Sequence, residues 1–126
     1  MRKIPIIKIK ENLIVSLQFD IDDKTALSLQ TDLLQEIRRT GATGVLIELS
    51  ALDMVDSFMG RTLSDISRMS ASMNARTVIV GIQPSVAITL VELGLQLEGV
   101  YTVLNVEDGL DLLEKLRTEE VEHGQA

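Results

Sequence analysis

The chain of 126 residues has no cysteine, no tryptophan, one tyrosine, two phenylalanines, two prolines and a single histidine. Without cysteine there are no disulfides, no thiol nucleophile and no thiolate ligands for a metal. The one histidine, His123, lies in an acidic stretch near the C-terminus, which argues against a histidine general base or a histidine-held metal. With aromatics at 2%, the core must be built from Leu, Ile, Val, Met and Ala, and stacking on bases or sugars is not the main business. A net charge of -7 disfavours non-specific binding to nucleic acid or anionic membrane, since both need a basic face. Long apolar runs are also missing. The segment MRKIPIIKIKENL is broken by Lys8, Lys10 and Glu11, so it reads neither as a signal peptide nor as a membrane span, and a soluble cytoplasmic protein is expected. Neither GxxxxGK[ST] nor GxGxxG occurs, and the eight glycines are scattered. A hydrolytic or nucleotide-using enzyme has no machinery here, and no cofactor or metal is expected.

What is present is an ordinary apolar fraction, 45%, in a length that fits one domain with a sizeable core. Ile4 to Ile9 reads as a first strand, with Pro5 placing it at a sheet edge or making it start late. Leu13 to Phe19 alternates apolar and polar residues, so the two runs suggest an antiparallel hairpin around Glu11-Asn12. The acidic cluster Asp20 to Asp23 opens a helix whose apolar face is Ala26, Leu29, Leu33 and Ile37, and which stops at Gly41 after Arg38 and Arg39. Val45 to Leu49 is apolar on both faces, as a central strand covered by helices should be. A second helix follows from Ser57, with Met59, Leu63, Ile66 and Met73 on its inner face. Thr77 to Ile82 is another continuous apolar strand. Pro84 opens a third helix to Leu93 that is apolar on most sides, more than one sheet face requires, which makes its outer surface a candidate for partner contact or self-association. Val100 to Leu104 is a last short strand. Asn105 and Asp108 begin a final helix carrying Leu110, Leu113 and Leu116, and Thr118 to Ala126 reads as a frayed acidic tail. The order ββαβαβαβα predicts one α/β domain over 1–126, with its core at about 4–117 and a mixed, mostly parallel sheet of about five strands with about four helices.

The polar constellation sits where the third strand hands over to the second helix: Asp53, Asp56 and Ser57. Sites in α/β folds gather at the carboxyl ends of strands, and helix-start amides with the positive dipole end tolerate added negative charge. A hydroxyl held there is well placed to be phosphorylated. The plainer account is that Asp56 or Ser57 caps the helix and Asp53 ends the strand. Arg61, one turn on, is spaced to brace a phosphate at Ser57, or else is an ordinary solvated side chain. Thr62 and Ser64 read as helix-surface hydroxyls. Gly81 and Pro84 fit a tight turn and a helix start, and leave Gln83 uncommitted. Asp22 and Asp23 fit a cap, and border the same face if the three helix starts share one edge of the sheet.

Taken in order, FDIDDKTALSLQTDLL, GVLIELSALDMVDSF, TVIVGIQPSVAITLVELG and the last leucine-rich helix resemble a STAS domain, the fold of anti-anti-sigma factors, over about residues 4 to 117. Asp56-Ser57-Phe58 is similar to that family's phosphorylated-serine position, and DDKTAL, DMVDSF and GIQPSVAITLVELG resemble RsbS-type scaffold subunits of the bacterial stressosome. The resemblance implies a protein without catalytic activity that co-assembles with RsbR-type STAS paralogues and holds an RsbT-type serine kinase. Phosphorylation at Ser57 would release the kinase, and an RsbX-type phosphatase would reset the switch. It further implies a partner-binding face at Asp22, Asp23, Asp53, Asp56, Phe58, Arg61 and Gln83, and homo-oligomers within a large hetero-assembly. Two rival readings are a free anti-anti-sigma factor that binds a kinase-type anti-sigma factor through the same face, and a small-ligand sensor using a groove near Gln83.

Overall fold

The computed structural model describes residues 3–18, 21–94 and 99–123, of which 120–123 are described through their backbone alone. The elements are β1 (Ile7–Ile9), β2 (Asn12–Ser16), α1 (Asp23–Thr40), β3 (Gly44–Glu48), α2 (Ser57–Ser72), β4 (Arg76–Val80), α3 (Pro84–Glu92), β5 (Tyr101–Val103) and α4 (Val106–His123). Their order is the ββαβαβαβα expected from the hydrophobic pattern.

The strands form one sheet in the order β1-β2-β3-β4-β5. β1 is antiparallel to β2 through a tight turn at Lys10 and Glu11, and β2 through β5 are parallel neighbours. Pro5, which has no N–H for the ladder, stays outside the sheet, so β1 begins only at Ile7. β2 ends at Ser16, earlier than its alternation suggests, although the Leu17 amide still donates to the Glu48 carbonyl at 3.0 Å. Phe19 lies outside the described residues.

Strands added in one direction by crossovers of one hand put their connecting helices on one face of a sheet. Side chains of α1, α2 and α3 accordingly share a core with Leu13, Val15, Val45, Ile47 and Ile79 on that face. The alternate residues Leu46, Val78 and Val80 turn to the other face and meet Leu113 of α4. That alternation is why β3 and β4 are apolar on both sides. In α4, Gly109 sits against β3, and a Cβ there would come within 3.0 Å of Leu46 Cδ1. This close approach explains a glycine inside a helix, where it is otherwise unfavourable.

The frayed tail expected from Thr118 to Ala126 is corrected as far as His123, and residues 124–126 lie outside the described residues. α4 continues to His123, and within it the Thr118 hydroxyl donates to the Glu114 carbonyl at 3.0 Å while Arg117 pairs with Glu114 at 2.8 Å. The leucine spacing runs out at Leu116, but Glu, Lys and Arg are good helix formers without it.

Truncation of Ile47, fully buried in the middle strand, should cost about 2–5 kcal/mol in an Ile47→Ala variant. Val91→Ala, at a side chain 76% exposed, should stay within about 0.5 kcal/mol of the parent. Urea unfolding of both variants checks the pair.

Candidate functional site at the carboxyl edge of the sheet

Because β2, β3 and β4 run parallel, the turns that follow them lie on one edge, and α1, α2 and α3 all start there. The edge continues the ladder past the strand ends: Leu49 N–H donates to the Val80 carbonyl and Gly81 N–H to the Val103 carbonyl, both at 2.9 Å. The turn between β3 and α2 is anchored by its apolar residues. Leu52 and Val55 are buried, whereas Asp53, Met54 and Asp56 point outward.

Ser57 is the first residue of α2 and is half-buried. Its hydroxyl makes no hydrogen bond among the described residues. The plainer account holds for its neighbour: Asp56 is the N-cap, and its Oδ1 accepts the Met59 amide at 2.8 Å. Capping of this helix therefore falls to the aspartate and leaves the serine out of it. Phe58 packs against the main core and presents only part of its ring. Arg61 is exposed and forms no ion pair or hydrogen bond among the described residues. Thr62, expected on the surface, is instead buried, and its hydroxyl donates back to the Phe58 carbonyl at 2.9 Å, which satisfies it inside the core.

At the start of α1, Asp22 is the N-cap, with Oδ1 accepting the Thr25 amide at 2.7 Å. That amide first, and the Thr25 hydroxyl second, hold the Asp22 carboxyl below the usual carboxylate range. Asp23 beside it is exposed. At the start of α3, Gln83 turns out to be committed: its amide makes no cap and donates across the edge to the Ser50 carbonyl at 2.8 Å. The structure thus brings Asp22, Asp23, Asp53, Asp56, Phe58, Ser57, Arg61 and Gln83 to the edge region, but Asp22, Asp56 and Gln83 already have partners within the chain.

Three residues escaped the sequence reading. Ser50 is held by Glu48, whose carboxylate accepts both its amide at 2.9 Å and its hydroxyl at 2.7 Å. Ser85, the second residue of α3, donates its hydroxyl to the Asp53 carbonyl at 3.2 Å. Met54 stands 68% exposed between two carboxylates. Only the methionine left a signal in the sequence, as an apolar residue inside a polar turn.

The edge is acidic, with Asp23, Asp53 and Asp56 exposed. No group of three or more His, Cys, Asp or Glu among the described residues could hold a metal ion, and none of the described helices is long and apolar enough to cross a membrane. A cavity of about 620 Å³, lined by Ser67, Arg68, Arg76 and Tyr101, opens where β4 and β5 begin, at the other end of the strands from Gln83.

Residues 3–109 match the STAS domain family. The RsbT co-antagonist protein RsbRA of Bacillus subtilis is 27% identical over 107 residues, which are 84% of this chain, and the chain spans only 39% of that relative's length. A Moorella thermoacetica RsbS, solved as a variant with a serine replaced by glutamate, superposes with a TM-score of 0.84 at 37% identity, covering 93% of this chain and 99% of its own. A chain in a structure of the stressosome, described as a signal integration and transduction hub, gives a TM-score of 0.80 at 39% identity over 90% of this chain and 98% of its own.

Removal of the cap at α2 should be read as a loss of stability. Asp56→Ala should lose about 1 kcal/mol in urea unfolding, while Asp56→Asn, which keeps an acceptor at the cap, should lose a few tenths at most.

Proposed function

The chain belongs to the STAS-domain family, and from that premise we propose that it is a non-catalytic scaffold and switch of a cytoplasmic, stressosome-type signalling complex. In this reading it holds an RsbT-type serine kinase at the acidic edge, alongside RsbR-type paralogues. Phosphorylation of Ser57 releases the kinase, and an RsbX-type phosphatase resets the switch. The observation that carries the reading is Ser57 itself, at the start of α2, outside the core, with its hydroxyl taking no bond among the described residues. The likeness to RsbS and to the stressosome chain supports the scaffold role, and the likeness to RsbRA supports a paralogous partner.

The electrostatics give the switch its sign. A phosphoryl group adds about -1.5 to -2 charges at neutral pH. Ser57 holds no internal bond, so modifying it breaks nothing in the fold, and the first-turn amides of α2 with the exposed Arg61 at i+4 can take up part of the charge. The exposed Asp53 and Asp56 repel the rest. A partner docked over this edge must then bury an added like charge, which costs far more in an interface than in water. The domain stays folded and the partner leaves.

α3 supports an assembly in preference to a free antagonist. Val86 and Leu90 fill the core, while Ile88, Val91 and Leu93 are left exposed at 57%, 76% and 41%. Ile88 and Val91, one turn apart, put their exposed apolar area on one face of α3, which suits a subunit contact.

Incubation with the RsbT-type kinase of the same organism should phosphorylate Ser57, read by mass spectrometry. In pull-downs, Ser57→Ala should retain the kinase and Ser57→Asp should lose most of it, and equal retention by both would sink the switch. The purified protein, alone or with its RsbR-type paralogue, should scatter light as more than a monomer, and Val91→Glu should shift it toward one.

A further inference from the structure

We propose that Gln83 and Ser85 are positioning residues for Ser57, clamping the turn between β3 and α2 from the neighbouring helix start; this inference rests on the switch reading above. The turn of residues 49–56 has three sets of restraints. Glu48 ties down Ser50 at its beginning, Leu52 and Val55 anchor it in the core, and Asp56 closes it as the cap of α2. Within the turn the Leu52 amide donates to the Leu49 carbonyl at 2.9 Å, and two side-chain bonds reach its outward stretch from the start of α3: Gln83 Nε2 to the Ser50 carbonyl at 2.8 Å, and Ser85 Oγ to the Asp53 carbonyl at 3.2 Å.

The local sequence is arranged for this reach. Gly81 has φ +71, and a Cβ there would meet Ser50 Cβ at 2.9 Å and Glu48 Oε2 at 3.2 Å, so the two turns approach this closely only with glycine. Gln83 occupies the N-cap of α3, a position that favours a short side chain accepting from the helix amides. Pro84 opens the helix, and the longer glutamine side chain makes no cap but extends to the adjacent turn. Ser85 likewise directs its hydroxyl out of its own helix.

The consequence for the switch is quantitative. A kinase reads Ser57 only in conformers that display it, and when a fraction of the population is competent, apparent affinity falls by that fraction. Loss of the clamp therefore raises KM for phosphorylation and leaves kcat in place. Gln83 and Ser85 act through the turn, and neither needs to touch the kinase.

The test uses the whole chain as wild type, Gln83→Ala, Ser85→Ala, the double variant and Ser85→Thr. Hydrogen exchange of the free protein should speed up in residues 50–56 by about fivefold per bond removed, with exchange in the sheet unchanged. Steady-state phosphorylation by the RsbT-type kinase should show a raised KM with kcat held, and Ser85→Thr, which keeps the hydroxyl, should behave as wild type. Unchanged exchange in the double variant overturns the clamp. Faster exchange with a wild-type KM overturns the positioning role, and so does a raised KM with unchanged exchange, which would mean direct contact with the kinase. A wild-type chain that is not phosphorylated at Ser57 defeats the switch reading and the positioning role together, whereas a phosphorylated wild type with unaffected variants defeats the positioning alone.

Discussion

The parallel ladder from β2 to β5 is the constraint on which the rest depends. Each of β2, β3 and β4 is followed by a helix on the same face, so every one of those turns is delivered to a single edge. The residues that fix the ladder are far from that edge in chemistry: Val45, Leu46 and Ile47 are wholly buried and carry no function beyond burial. Their two-sided apolar character forces β3 into the middle of the sheet, and once there the chain must leave it beside α1 and α3. A serine in the turn after β3 is then flanked by two other helix starts without any residue in between having to specify it.

At that edge the division of labour between neighbouring polar residues decides what is available to a partner. Asp56 satisfies a helix amide, Asp22 does the same one helix away, and Gln83 is spent on a carbonyl of the adjacent turn. These bonds hold the two cap carboxylates and the Gln83 side chain in place along the edge. The Ser57 hydroxyl stays out of this network among the described residues, so a change in its charge breaks no bond of the domain that carries it. On α3, Ile88 and Val91 leave apolar surface exposed while Val86 and Leu90 are buried.

Apolar patterning together with capping and turn residues identified the nine described elements in order, the antiparallel hairpin, the buried strands and the helix starts, because burial leaves a repeating trace in a sequence and helix ends favour particular residues. The sequence also located Ser57 just after Asp53 and Asp56. Boundaries were less legible: β2 stops short of its alternating run, and α4 outlasts its leucines, because hydrogen bonding and helix propensity extend or end an element independently of the apolar pattern. Thr62 was misplaced for a related reason, since a threonine that bonds back to its own helix is indistinguishable in sequence from one facing water.

By itself the sequence determined the fold class, the acidic balance, the lack of cysteine, and the serine at a strand-to-helix junction. Only the tertiary structure decided which of Asp56 and Ser57 caps the helix, that Gln83 reaches Ser50 and Ser85 reaches Asp53, and that the outer half of α3 stays uncovered. The reason is distance along the chain. Periodic burial is a local property written every few residues, whereas a bond between residues more than thirty positions apart exists only after parallel pairing has set two turns side by side.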